Sequence, residues 1–213
     1  MTIETIHLLG DSIFDNSKYV ETKYDAVSSL LASIVADKRV NVALDAVDGY
    51  VTHDVVNQLT QERSEPYSNN AAAVLSVGGN DALGVAGILM AQVSNVHEAL
   101  TLLRSITEEF RGFYTNVLDT VTSYYNEYNI RVCTIYNKIP THKSGYLPIE
   151  AMTALALFND VITEEAAKRD LPVIDLRMIC DQESDYSEVS PIEPSRSGGK
   201  KIAYAIAKSF DLI

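Results

Sequence analysis

Cysteine is nearly absent: Cys133 and Cys180 are the only two in 213 residues. Neither stands in a CxxC or Cys/His spacing, so no metal and no cofactor is expected, and without an export signal both should be reduced. Basic residues are also few, 17 against 29 acidic, for a formal net charge of −12. Such a charge repels phosphate backbones and anionic membrane surfaces, so neither nucleic acid nor a membrane is an expected partner. No apolar run approaches the ~20 residues needed to span a bilayer. The start, Met1-Thr2-Ile3-Glu4, has no basic flank, so no signal peptide is expected and the chain reads as cytoplasmic. Repeats, low-complexity tracts and linkers are lacking, which leaves one domain over residues 1–213. Histidine runs out early: after His7, His53, His97 and His142 there is no other.

What is present is a regular alternation. The stretch Ile6–Asn16 runs from apolar residues into Gly10-Asp11-Ser12 and then into polar, helix-starting residues. That is the pattern of a parallel strand delivering a serine to the carboxyl edge of a sheet, where α/β proteins place their chemistry. Val27, Leu30, Leu31, Ile34 and Val35 share one helical face. Val40–Leu44 is a second strand, ending in a turn at Asp48-Gly49, and Thr52 is a plausible N-cap for the next helix. Ala71–Val77 is a third strand, followed by a carboxyl-edge loop, Gly78-Gly79-Asn80-Asp81. A long helix from about Asn95 to Tyr125 carries the stripe Val96, Leu100, Leu103, Phe110, Tyr114, Val117, Val121. Strands over Arg131–Tyr136 and Pro172–Leu176 bracket a loop, Asn137–Ile149, and a helix from about Glu150 to Arg169. Arg177–Pro194 is a long acidic loop, and Gly198–Phe210 is the last helix. Five short strands alternating with helices predict a three-layer α/β/α sandwich around a parallel sheet.

In such a sheet the loops after the strands gather on one edge. Ser12 could attack a carbonyl there, with the Ser12 and Gly49 amides and the Asn80 side chain as donors to the oxyanion. Each is equally at home as an ordinary turn residue. Their combination resembles the SGNH hydrolases, also called GDSL esterases and lipases, over essentially the whole chain. Gly10-Asp11-Ser12 is similar to the first block of that family, with Ser12 in the nucleophile position. The Asp48-Gly49 turn is similar to the second, with Gly49 in the oxyanion position, although Leu44 and Ala46 stand where an asparagine is expected upstream. Gly78-Gly79-Asn80-Asp81 is similar to the third, with Asn80 as a further oxyanion donor. The resemblance implies a flavodoxin-like sheet of order 2-1-3-4-5 and hydrolysis of a small ester, short-acyl or acetyl.

The last block departs from the family. Where Asp-x-x-His is usual, the chain has Ser190-Pro191-Ile192-Glu193, so both partners of the usual triad are replaced. A carboxylate with an ordinary pKa near ~4.3 is a weaker base than imidazole. Three readings follow. Glu193 serves as the base, its pKa raised by burial or by like charges such as Asp181, Asp185 and Glu188. Alternatively His142 or His53 moves in. In the third, the protein is a catalytically inactive SGNH-fold binder of a small ligand.

Overall fold

The computed structural model describes residues 3–62, 65–140 and 147–213. Its five strands are β1 (Thr5–Gly10), β2 (Asn41–Leu44), β3 (Ala71–Ser76), β4 (Ile130–Cys133) and β5 (Val173–Ile174). All pair in parallel, as the alternation of strands and helices predicts, in the order β2-β1-β3-β4-β5 that the family resemblance implies. The order reverses direction between β1 and β3, the two strands whose loops carry Ser12 and Asn80. Such a switch point opens a crevice at the carboxyl edge.

Period-two alternation assigns the strand side chains to two cores. Ile6 and Leu8 of β1 and Ala72 and Val74 of β3 face α1 (Val27–Val35) and the later helix at Arg196–Ser209. Leu9, Ala71, Ala73 and Leu75 face the opposite layer. That layer is α2 (Thr52–Glu62), α4 (Val96–Tyr124) and α5 (Ile149–Ala167). Between β3 and α4 the chain forms α3 (Gly79–Gly84) and a 3₁₀ turn, Ala86–Met90. A short α6 (Leu176–Ile179) follows β5, and the helix Arg196–Ser209 is α7. Among the described residues no helix is long and apolar enough to cross a membrane.

Three expectations are corrected. Gly79 and Asn80 lie in the first turn of α3 instead of a loop, because Gly78, at φ 121°, makes the turn one residue earlier. The acidic segment 177–194 contains α6 and a 3₁₀ turn at Glu183–Asp185, where Asp185 is buried and paired with Lys201 at 2.6 Å. In α4 the predicted stripe is fully buried only from Phe110 onward; Val96 and Leu100 stand exposed.

Gly10 fixes how closely β1 and β3 end together. Its φ is 128°, and a Cβ there would fall 1.8 Å from the Ser76 carbonyl oxygen. That atom also accepts the Asp11 N–H at 3.1 Å, so the strand cannot step aside without losing the turn that presents Ser12. Gly10→Ala is therefore expected to destabilise the fold by ~3 kcal/mol or more, read as a lowered midpoint in urea denaturation.

Candidate active site

The turn after β1 is built by Asp11. Its carbonyl accepts the Phe14 and Asp15 amides and its carboxylate accepts the Ile13 N–H at 3.1 Å, which stands Ser12 up at the sheet edge. The Ser12 hydroxyl donates to Glu193 Oε1 at 3.0 Å across 181 residues of sequence. Glu193 is 4% exposed, and its Oε2 has no hydrogen-bond partner among the described residues. Burial pushes the Glu193 carboxyl up to about 7, against the Ser12 hydrogen bond, which favours the ionised form; the nearby Asp48 charge adds to the rise. The like charge thus comes from Asp48. Asp185, one of the acids expected from the sequence to act on Glu193, is taken up by Lys201.

A second acid lies beside the first. Asp11 is buried and pushed up to about 8 by that burial, partly offset by the Ile13 amide and reinforced by Glu193 and Asp81. Burial disfavours the ionised form of both acids, and the coulombic repulsion between Asp11 and Glu193 further disfavours two full negative charges there at once.

The segments carrying Gly49 and Asn80 are cross-linked. Asn80 Nδ2 donates to the Tyr50 carbonyl at 3.0 Å, which uses one of its two N–H bonds and leaves the other. The Asp81 carboxylate accepts both the Thr52 amide, at 3.1 Å, and the Thr52 hydroxyl, at 2.7 Å. Thr52 was predicted as the N-cap of α2; it is instead the first helical residue, and Asp81 caps it from across the crevice. Gly49 has φ 90°, a conformation that favours glycine. The Ser12 and Gly49 amides donate to no acceptor among the described residues.

Glu193 is held by residues that sequence reasoning missed. The buried Asn16 donates from Nδ2 to the Pro194 carbonyl at 3.0 Å and accepts the Val27 amide at 3.0 Å. The Tyr136 hydroxyl donates to the Ile192 carbonyl. Ser190, in the family's aspartate position, accepts the Glu193 N–H through its carbonyl at 3.0 Å, and the Ser187 N–H donates to the Glu193 carbonyl at 2.9 Å. The Asn16 and Tyr136 bonds span 178 and 56 residues, and no local pattern announces them.

Ser12, Asn80 and Glu193 share the wall of a cavity of about 190 Å³. Asp11 and Glu193 are its charged residues; most of the remaining wall is aliphatic or aromatic, including Leu83, Leu89, Ile106, Leu155 and Phe158. Gly49 lies outside that wall. The histidines are elsewhere. His53 is exposed on α2, His97 is exposed on α4, and His7 pairs with Asp45 at 2.6 Å within the sheet. His142 lies outside the described residues. Among the described residues no group of three or more histidine, cysteine or carboxylate side chains is placed to hold a metal ion.

A turn at the end of β1 that presents a buried serine to a carboxylate, with uncommitted backbone donors at the same sheet edge, is an arrangement that serine-hydrolase chemistry can use. The sequence model of the GDSL-like lipase/acylhydrolase family matches residues 8–198, and the chain belongs to that family of esterase- and lipase-type hydrolases. A search of curated proteins finds no match. Among solved structures, the chain is similar to LAE5, an α/β hydrolase from the metagenome of Lake Arreo. The two share 14% identity and a TM-score of 0.68, over 100% of this chain and 97% of that one. A lipase/acylhydrolase from Enterococcus faecalis shares 17% identity with a TM-score of 0.63, over 97% and 94%. Phospholipase A1 from Streptomyces albidoflavus shares 19% with a TM-score of 0.62, over 99% of each chain. At these identities the likeness carries the fold.

Proposed function

We propose that the protein hydrolyses a carboxylic ester through Ser12, with Glu193 as base in place of the family's histidine. The observation that supports this reading best is the buried Ser12–Glu193 hydrogen bond, made to a carboxyl whose pKa is pushed up to about 7. An ordinary carboxylate is too weakly basic for the task; desolvation brings this one close to the working pH. Ser12 Oγ attacks the ester carbonyl carbon while its proton passes to Glu193. The oxyanion that forms is met by the Ser12 and Gly49 amides and the free Asn80 N–H. As the bond to the alcohol breaks, Glu193 returns the proton to the departing oxygen. Water then attacks the acyl-enzyme while Glu193 takes a proton from it; as the bond from the acyl carbon to Ser12 Oγ breaks, Glu193 returns that proton to Oγ and the acid leaves.

The wall chemistry bears on the acyl group. A cavity of about 190 Å³ corresponds to roughly six liquid waters, room for a short-to-medium acyl chain as well as for acetyl. An apolar pocket gains about 0.8 kcal/mol per methylene removed from water. On p-nitrophenyl esters from acetate to octanoate, kcat/KM is therefore expected to rise about fourfold per added methylene until the cavity is full and then to level. A protein no faster than buffer on every ester, yet able to bind the corresponding fatty acids, would instead be the inactive binder. The cytoplasmic compartment stays part of the proposal, in keeping with two buried cysteines that are both unpaired.

A further inference from the structure

The segment that roofs the cavity has a second face. Residues 82–96 contain no Asp, Glu, Lys or Arg, in a chain of net charge −12. Ile88 and Leu89 of its 3₁₀ turn, with Leu103 of α4, point into the cavity wall. Their neighbours point to solvent: Met90 is 86% exposed, Val96 74% and Leu100 60%. The 3₁₀ turn packs on α5, whose first residue, Ile149, is 79% exposed. Leu83 and Val85 belong to both faces, lining the cavity while remaining substantially exposed. The apolar surface is thus continuous from the outside of the molecule to the wall beside Ser12.

An apolar ridge of this kind on a soluble fold marks an interaction surface. We infer that it seats the protein on an uncharged lipid or ester surface, from which an acyl chain passes into the cavity. Continuity with the cavity selects this occupant. A folded partner seated on Met90, Val96 and Ile149 would cover the approach, whereas an acyl phase supplies it. Two copies meeting there would each bring a charge of −12. The same charge sets anionic membranes aside and leaves neutral surfaces, such as phosphatidylcholine, unopposed. The expectation against membranes rested on repulsion from anionic headgroups, and an uncharged interface escapes it. The inference rests on the ester-hydrolase reading, since it is the acyl cavity that gives the ridge its purpose.

The test compares the unaltered protein with a Met90→Gln/Val96→Gln/Leu100→Gln variant. These three side chains lie outside the cavity wall, and glutamine leaves the net charge unchanged. Flotation with phosphatidylcholine vesicles reads docking without any turnover. The unaltered protein is expected to float with the vesicles, and the variant to partition roughly 100-fold less. Both should hydrolyse a fully dissolved p-nitrophenyl ester at the same rate. Equal flotation of the two proteins, or none by the unaltered one, would overturn the docking surface. So would a dimer of the unaltered protein that the variant dissociates in sedimentation, since the occupant would then be a second copy. Flotation without hydrolysis of the dissolved ester would instead strike the hydrolase reading, which keeps the two failures apart.

Discussion

Ser12→Ala is expected to lower ester hydrolysis by on the order of 10³-fold or more. Removing the hydroxyl takes away the attacking atom and nothing else of the site: the cavity wall, the Asn80–Tyr50 bond and the Asp81 cap on α2 do not depend on it. Fatty-acid binding should therefore persist in the variant. Stability should change by only about 1 kcal/mol, because the lost donor leaves Glu193 Oε1 unpaired and the buried carboxyl responds by holding its proton more tightly. The measurement is the initial rate on the best p-nitrophenyl ester alongside the affinity for the matching acid. If the unaltered protein is no faster than Ser12→Ala while both bind the acid equally, the protein is a binder and Ser12 is one polar group in its pocket.

The parts of the molecule legible in the sequence are those that local chemistry dictates. Each strand is a short apolar run ended by a turn residue, and the order 2-1-3-4-5 follows from the resemblance that Gly10-Asp11-Ser12 and Gly78-Gly79-Asn80-Asp81 carry. Boundaries moved where tertiary contacts decide them. Asn80 became helical because Gly78 supplies the turn, and Thr52 gave up the cap position to Asp81, which reaches it from 29 residues away. Val96 and Leu100 keep helical spacing with the buried stripe of α4, yet both stand exposed to water. Periodicity reports which residues share a face; whether anything covers that face is a property of the whole fold. The same holds for Glu193. Its position in the family frame could be read, but its burial and its supports, Asn16 and Tyr136, arise from contacts over 178 and 56 residues. A carboxylate pKa is set by such surroundings, and spacing does not encode it.

Glu193→Gln tests the basicity that those surroundings create. Glutamine keeps the size and can still accept the Ser12 hydrogen bond, but it cannot take a proton, so the rate is expected to fall by about 10²- to 10⁴-fold. The base acts when ionised. In the unaltered protein kcat/KM should therefore fall about tenfold per pH unit below about 7 and level above it; the residual rate of Glu193→Gln should lack that step. The same raised pKa has an opposite signature in stability. Because Glu193 binds its proton more tightly in the folded chain than the ordinary 4.5, its contribution to folding is intact below pH 4.5 and is lost as pH rises through about 7. Relative to Glu193→Gln, the unaltered protein should lose about 3 kcal/mol between pH 4 and pH 9, read by urea denaturation of both proteins at each pH. Activity and stability thus move in opposite directions across one ionisation. With His142 or His53 as base, the pH dependence of the rate would survive Glu193→Gln, and no matching loss of stability would be tied to residue 193. A break near pH 7 shared by the two profiles, where activity and stability both level, and gone from both in the variant, is what Glu193 as base requires.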